Sequence, residues 1–557
     1  MMKTTQEQQN IIEAVQQANT HIIINAVAGA GKTTTLIEAL KTVGTQDSVL
    51  FCAFNVSIRK EIDQRVRAFN KGNIDVKNIH QLGLELIQNH SSGRLTIQSA
   101  KYIQIFNEWI ATVGKSLWET FVLYTKEVLK ENSKELYKLF QKIILDAVDK
   151  VRLNLVKKEF TKFVQLNEHY GCVDKNKFEH QYERLLQLIF ECTYQLIERG
   201  TYSYQENNLI DFVDMLYLPM ILDFKSLHQY DRVFVDECQD LSKAQLGIVL
   251  KFTTDATKIV AVGDPYQSIY GFTGADSSAF DNFKAILTPH VEWPLTASFR
   301  CAKQITDAAK EIRPDITSGT TRNGSIETIS KQEMIDKIAA GDMMICRWKE
   351  PLIEMVYFLV GNHKKVTIDM EEINEVVYQL TALFTSMELE TKLSDELLSS
   401  AFSNEIVKRN LKRTRLQLPE HLSYEGKSVA LEKIEEVLES KMSFVRFLYY
   451  KFQHLDINLK QLCLRSKDLF KESKDAIRLA TIHKAKGLEA DHVFVLKYDE
   501  MPMKYPNQKD WEYLQEQNLK YVGITRAKQS LYIVTEEQEK TEVKASIISN
   551  KKDFFFY

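Results

Sequence analysis

The stretch Ile22-Ile23-Ile24-Asn25-Ala26-Val27-Ala28-Gly29-Ala30-Gly31-Lys32-Thr33 is an apolar, β-branched run that breaks into small residues and then Lys-Thr. A buried strand, a glycine loop and a helix start in that order form a phosphate cradle. Gly29 and Gly31 let the backbone N–H groups of Ala28, Ala30 and the residues through Thr34 turn inward around phosphate oxygens, and the positive end of the following helix dipole adds to the attraction. In such a loop Lys32 reaches the β- and γ-phosphates and the Thr33 hydroxyl holds Mg²⁺. Position 26 carries alanine where the general pattern has glycine. The chain is expected to use a nucleoside triphosphate.

A second apolar run, Val233-Phe234-Val235, ends in Asp236-Glu237-Cys238-Gln239-Asp240. A carboxylate at the C-terminal edge of a strand can hold the Mg²⁺ that Thr33 touches, and a second one beside it can orient or deprotonate an attacking water. Asp236 is assigned to the metal and Glu237 to the water. Hydrolysis, beyond simple binding, is the expected chemistry.

The chain's 557 residues are enough for roughly three to five domains. Its 44% hydrophobic and 26% charged residues describe an ordinary globular composition. The opening Met-Met-Lys-Thr-Thr-Gln has no apolar signal core, and no run reaches membrane-spanning length. The seven cysteines include no Cys-x-x-Cys pair, so no disulfide framework, zinc site or iron–sulfur site is expected. A reducing cytoplasm is the expected setting. The net charge of −3 neither favours nor excludes nucleic acid, so any such site must be a local channel in a balanced surface. Lys126 to Lys162 interleaves Lys and Glu at helical spacing, the pattern of a solvated helix face.

Strand patterns at 22–25, 49–54, 233–236 and 259–262 alternate with helical stretches, the grammar of a parallel α/β sheet. They vanish between about 90 and 205, where Leu, Lys, Glu, Phe and Tyr recur with helical periodicity. A second α/β block starts near Trp293, shows a strand at 343–347, and resumes at 477–482, 493–496 and 531–534 after another helical, charged span. Two sheet domains, each interrupted by a helical insertion, are therefore expected. Arg300 and Arg526 belong to the second block. An arginine supplied from a separate domain stabilises charge on a transferred γ-phosphoryl group and makes hydrolysis depend on closure.

In chain order the motifs begin with Gln6-Glu7-Gln8-Gln9-Asn10-Ile11-Ile12, the phosphate loop, Ala53-Phe54-Asn55 and Ile79-His80-Gln81-Leu82-Gly83. Asp236 to Asp240 and Gly263-Asp264-Pro265-Tyr266-Gln267-Ser268-Ile269-Tyr270 come next. Ser298-Phe299-Arg300, Thr481-Ile482-His483-Lys484-Ala485-Lys486-Gly487-Leu488-Glu489 and Val522-Gly523-Ile524-Thr525-Arg526-Ala527 complete the series. This ordered set resembles superfamily 1 DNA helicases of the UvrD/Rep type. Asp211-Phe212-Val213-Asp214-Met215-Leu216-Tyr217-Leu218-Pro219 and Tyr270-Gly271-Phe272-Thr273-Gly274-Ala275-Asp276 are similar in wording to the F-box DNA helicase branch. No F-box is expected, because the motifs begin at residue 6.

The resemblance implies an α/β fold of two RecA-like parallel-sheet domains, each with a mainly helical insertion. The first motor domain is placed at 1–89 and 206–288, with its insertion at 90–205. The second is placed at 289–359 and 472–557, with its insertion at 360–471. It also implies an ATP- and Mg²⁺-dependent motor on single-stranded DNA and single/double-strand junctions, monomeric, moving 3′→5′. Gln8 is implied to read the adenine edge, Phe299 to stack on adenine, Glu489 to contact the ribose and Gln267 to sense the γ-phosphate alongside Arg300 and Arg526. Phe54, Tyr270 and Phe272 are implied to stack on bases, and Asn55, His80 and Thr481 to touch the DNA backbone. Thr34 and Thr273 stand where the family usually has arginine, so adenine stacking is expected from one side and one backbone contact is missing. A nucleotide-gated binding protein, a protein-displacing translocase that does not unwind, and a degenerate motor kept as an assembly partner are the competing readings. The pathway (repair, recombination or replication) and any loading partner stay open.

Overall fold

The continuous apolar runs become the middle strands of two parallel sheets, where both faces of a strand are covered and polar alternation has no place. The computed structural model describes residues 4–535 except 18, 55, 70, 272–278, 393, 395–400, 416–423, 471, 472, 474 and 507. The chain divides into two units, Met1–Ala297 and Ser298–Tyr557.

In the first unit α1 (Gln6–Gln17), β1 (His21–Ala26), α2 (Lys32–Thr42), β2 (Val49–Ala53), α3 (Val56–Arg67), β3 (Ile74–Asn78) and α4 (Ile79–His90) follow one another. The insertion is bracketed by two short strands, β4 (Thr96–Ile97) and β5 (Leu209–Ile210), which pair in parallel and close its neck. Between them run α5 (Lys101–Ile110), α6 (Lys115–Leu129), α7 (Ser133–Leu153), α8 (Phe160–Tyr170) and α9 (Tyr182–Asn207). The chain returns through α10 (Asp214–Ile221), β6 (Arg232–Val235), α11 (Lys243–Leu250), β7 (Lys258–Gly263), α12 (Ala279–Ile286) and β8 (His290–Leu295).

The sheet order is β3-β2-β6-β7-β1-β8, parallel throughout. Ile22–Ile24, Val49–Ala53, Val233–Val235 and Ile259–Val262 are buried. Because β6 and β7 lie between β2 and β1, the C-terminal ends of β1, β6 and β7 stand side by side. That edge, outside the carboxyl ends of parallel strands, is where α/β sheets bind ligands.

One boundary differs from the sequence expectation. β8 falls in the span 289–359 expected for the second motor domain, but it pairs with β1 from His21↔His290 to Ala26↔Leu295. The first unit therefore runs to 297, past the expected limit of 288. β8 is the sheet's edge strand, half exposed, and it carries Pro294. Proline fits an edge because it has no N–H to give a further strand, and a local pattern does not say which sheet an edge strand joins.

The first insertion has an aromatic core, including Phe106, Trp109, Phe121, Phe140 and Phe163, which continues into Ile87 of α4 and Met215 and Leu218 of α10. It also holds a buried ion cluster. The Arg152 guanidinium donates to Asp211 at 2.9 Å and to Asp214 at 3.0 Å, and lies 3.9 Å from the centre of the Tyr102 ring. Lys101 donates to Asp214 at 2.6 Å and to the Gly200 carbonyl at 2.7 Å. The Asp-Phe-Val-Asp segment thus ties α5 and α7 to the start of α10. Lys150 and Arg152 are buried, so the Lys126–Lys162 stretch is not a uniformly solvated face. α10 also passes close to α4: a Cβ on Gly83 would lie 1.9 Å from the Met215 carbonyl oxygen.

The second unit runs through β9 (Ala297–Ser298) at the junction, α13 (Lys303–Ala309), β10 (Thr317–Ser318), β11 (Ser325–Ser330), α14 (Lys331–Lys337), β12 (Met343–Cys346), α15 (Lys349–Gly361) and β13 (Val366–Thr367). Its insertion begins with α16 (Met370–Ala382) and includes helices Ala401–Arg415, Tyr424–Phe452 and Leu459–Arg465. β14 (Ile477–Thr481), β15 (Ala490–Leu496), helix Asp510–Ile524 and β16 (Ala527–Thr535) complete it. The sheet order is β11-β16-β15-β12-β14-β13, again parallel. Met344 and Cys346 of β12 share one core with Val376, Leu380, Phe444, Val445 and Leu448 of the insertion. Among the described residues no helix is long and apolar enough to cross a membrane.

Candidate functional site

β1 ends where the chain turns into the glycine loop. The Val27 N–H donates to the Leu295 carbonyl at 2.9 Å, and Gly29 and Gly31 take φ of 74° and 78°. Those angles lie in the left-handed region, which glycine enters without a Cβ clash. α2 then starts at Lys32, and no side chain caps its first N–H groups. Such a helix start offers donors and a positive dipole end to an anion. Ala28 and Ala30 are buried, and Thr33 and Thr34 are half-buried on the first turn of α2. Gln8 backs the loop from α1. Its Nε2 donates to the Ala30 carbonyl at 3.3 Å and its Oε1 accepts from the Thr5 N–H at 3.0 Å, so this buried amide sits against the cradle.

The carboxylates at the end of β6 reach the loop. Thr33 Oγ1 donates to Asp236 at 2.7 Å, and Lys32 Nζ lies 2.9 Å from one Glu237 oxygen and 3.0 Å from the other. Glu237 has φ of 53°, a left-handed conformation rare for a residue with a Cβ. Strain of this kind clusters at functional sites. Burial, followed by the neighbouring Glu237 carboxylate, pushes the Asp236 carboxyl up to about 6. Burial pulls the Lys32 ammonium down, but Glu237, Asp264 and Asp236 outweigh it and hold it above its ordinary value. The Thr33 and Asp236 oxygens are the hard donors Mg²⁺ prefers. Among the described residues no group of three or more His, Cys, Asp or Glu side chains gathers to hold a metal, here or elsewhere. A site with few protein ligands, completed by phosphates and water, is the usual Mg²⁺ arrangement.

β7 delivers the next group. Asp264 is fully buried, accepts from Gln267 Nε2 at 2.6 Å and caps the short turn Pro265–Gln267 through the Tyr266 N–H. Three residues beyond Gln267, the Tyr270 ring lies parallel to Phe54, at 16° and 6.3 Å between centroids. Two of the expected stacking aromatics are therefore adjacent. His80 is half-buried in the first turn of α4, where burial lowers its pKa. Asn55 and Phe272 lie outside the described residues.

The second unit assembles its own set. Phe299 is 41% exposed, and a Cβ on Gly319 would lie 2.7 Å from its ring. Arg300 Nε donates to Glu489 at 2.6 Å, and Lys528 pairs with the same carboxylate at 2.7 Å. Burial raises the Glu489 pKa, but Lys528 and Arg300 outweigh it and hold the carboxyl below its ordinary range. Arg526 is fully buried and donates to the Val522 and Leu488 carbonyls at 3.0 and 3.1 Å. Thr481 is buried and caps the turn Ile482–Ala485, accepting from the Lys484 N–H.

Gln8, Lys32, Thr33, Asp236, Glu237 and Gln267 thus gather in the first unit, and Phe299, Arg300, Glu489 and Arg526 in the second. Asp264 and Lys528 had no assigned role in the sequence. Asp264 carried a usable signal: like Asp236, it is an acid that follows a buried apolar run, Ile259–Val262.

Comparison with known proteins adds a family. Residues 4–287 match the UvrD/REP helicase N-terminal domain, and residues 476–534 the UvrD-like helicase C-terminal domain. F-box DNA helicase 1 of Gallus gallus is 25% identical over 95% of this chain and 49% of its own length. A probable DNA helicase II homolog of Mycoplasma pneumoniae is 27% identical over 65% of the chain and 63% of its own. The ATP-dependent DNA helicase PcrA of Bacillus subtilis is 21% identical over 94% of the chain and 81% of its own. The chain thus spans about half the length of the first of these relatives.

Proposed function

The chain belongs to the UvrD/REP helicase family, and we propose that it hydrolyses ATP to move 3′→5′ along single-stranded DNA and to separate strands at single/double-strand junctions. The observation that carries this is the meeting of Lys32 and Thr33 with Glu237 and Asp236 within hydrogen-bond distance at one edge of the first sheet. Thr33 and Asp236 would hold Mg²⁺, which when bound offsets charge on the phosphates. Lys32 exchanges Glu237 for the β- and γ-phosphate oxygens, and the freed carboxylate orients the attacking water. Gln267 reports the γ-phosphate to the segment that ends in Tyr270, where bases stack on the aromatic pair. Gln8 and Phe299 serve the adenine, Glu489 the ribose, and Arg300 and Arg526 the charge on the γ-phosphoryl group. His80 and Thr481 serve the DNA backbone. Repair, recombination or replication is the setting this activity fits.

Direction is tested by displacement of streptavidin from 5′- or 3′-biotinylated single strands, and strand separation by a forked duplex. Release from the 5′ end alone, with opening of a 3′-tailed fork, is the expected pair of results. Release from the 3′ end overturns the polarity, and release without fork opening leaves a protein-displacing translocase.

A further inference from the structure

Immediately after Glu237, the residues Cys238–Asp240 form one tight 3-10 turn, and Gln239 in its middle is 1% exposed. Every polar group of its side chain faces a residue of the site. Nε2 donates to Glu237 Oε2 at 2.7 Å and to Asp240 Oδ2 at 3.1 Å. Oε1 accepts from the Asp264 N–H at 3.0 Å, and the Gln239 main-chain carbonyl accepts from Ser268 Oγ at 3.3 Å. A Cβ on Gly263 would lie 2.6 Å from Gln239 Oε1, so the end of β7 approaches this amide as closely as only glycine allows. The amide orientation is dictated by its partners. Turned over, it would set an oxygen against two carboxylates and an NH₂ against a main-chain N–H.

We infer that Gln239 is a positioning residue for hydrolysis: it holds the Glu237 carboxylate in place and ties it to the Asp264–Tyr270 segment. The inference rests on the proposal that Glu237 orients the attacking water. Lys32 grips the same carboxylate but is the partner that leaves for phosphate. Gln239, buried and anchored at its other end to Asp264, has no such competing ligand and keeps the carboxylate aimed after Lys32 has left. Asp264 in turn accepts from Gln267. One side chain therefore joins the group that acts on water to the segment that carries the γ-phosphate sensor and Tyr270.

Gln239→Glu and Gln239→Met, made in the full chain, separate this role from mere packing. Binding of a fluorescent ADP analogue first establishes that each variant folds, and steady-state ATPase is then measured with and without poly(dT). Both variants are expected to lose about 10–100-fold in kcat, the range typical for loss of a supporting hydrogen bond, with KM for ATP within about threefold of wild type. Stimulation by DNA should shrink in both. Gln239→Glu should recover relative to wild type as pH falls from about 8 to about 6, because a buried carboxyl beside two carboxylates protonates readily and its O–H can then donate to Glu237. Gln239→Met should show no such recovery, and it alone carries the test if Gln239→Glu does not fold. Wild-type kcat and stimulation in either folded variant overturns the inference, as does a parallel loss with identical pH profiles. A wild-type chain that does not hydrolyse ATP refutes the proposed function itself, which is a separable result.

Discussion

At the scale of single residues, the best-defined consequence concerns Asp236. Its carboxyl is pushed up to about 6 from an ordinary 3.8, first by burial and then by Glu237. Between those values the folded chain holds a proton that the unfolded chain has lost, so stability falls as pH rises through the window. Asp236→Asn removes that penalty. It should abolish ATPase yet melt about 2–4 °C higher than wild type above pH 6, with the gap closing below about pH 4. Thermal melts across this range check it, and a variant less stable at every pH would contradict it. On the aromatic pair, Phe54→Ala and Tyr270→Ala should each weaken poly(dT) binding by about 1–3 kcal/mol while leaving DNA-free ATPase within about twofold. Fluorescence anisotropy reads this directly. Lys32, Thr33, Asp236 and Glu237 were legible in the sequence because each sits in a short motif whose chemistry is local. Gln239 was not, although it lies inside one of those motifs. Its role depends on Asp264, which only the pairing of β6 with β7 brings alongside.

At the scale of elements, the two insertions are built differently. The first packs its aromatic core against the helices α4 and α10 and has a buried charge cluster at its root, whereas the second shares its core with the sheet it interrupts. Removing one partner from a buried ion cluster leaves the others uncompensated. Arg152→Met, which strands Asp211 and leaves Asp214 to Lys101 alone, should therefore cost about 3–5 kcal/mol. Denaturant unfolding followed by the fluorescence of Trp109 and Trp118 measures it, and a cost below about 1 kcal/mol would show that the cluster is not paired as described. The buried strands β1, β2, β6 and β7 could be read as apolar runs. β3 could not, because Ile74-Asp75-Val76-Lys77-Asn78 alternates and is only half covered. The neck strands β4 and β5, two residues each, are too short to carry a pattern. β8 was legible as a strand, but its sheet was not.

At the scale of the molecule, a net charge of −3 leaves no general attraction for nucleic acid. On the proposed function, DNA binding comes from local groups and stacking. The dependence of log K on log salt, about −0.7 per neutralised phosphate on a single strand, should accordingly be shallow, and a steep slope would point to a broad basic surface instead. The strand patterns along the chain disclosed two α/β blocks and their interruptions, because a buried parallel strand leaves a continuous apolar run. The order of strands within each sheet and the sharing of a core by the second insertion are long-range properties, and no local pattern encodes them. On the proposed function, the phosphate loop and the two carboxylates make an ATPase driven by DNA. Steady-state ATPase of wild type and Glu237→Gln, each with and without poly(dT), is the decisive measurement. Strong stimulation of the wild type by the single strand, abolished in Glu237→Gln while ATP still binds, is the expected result. A wild-type rate indifferent to DNA, or a variant as active as wild type, would contradict it.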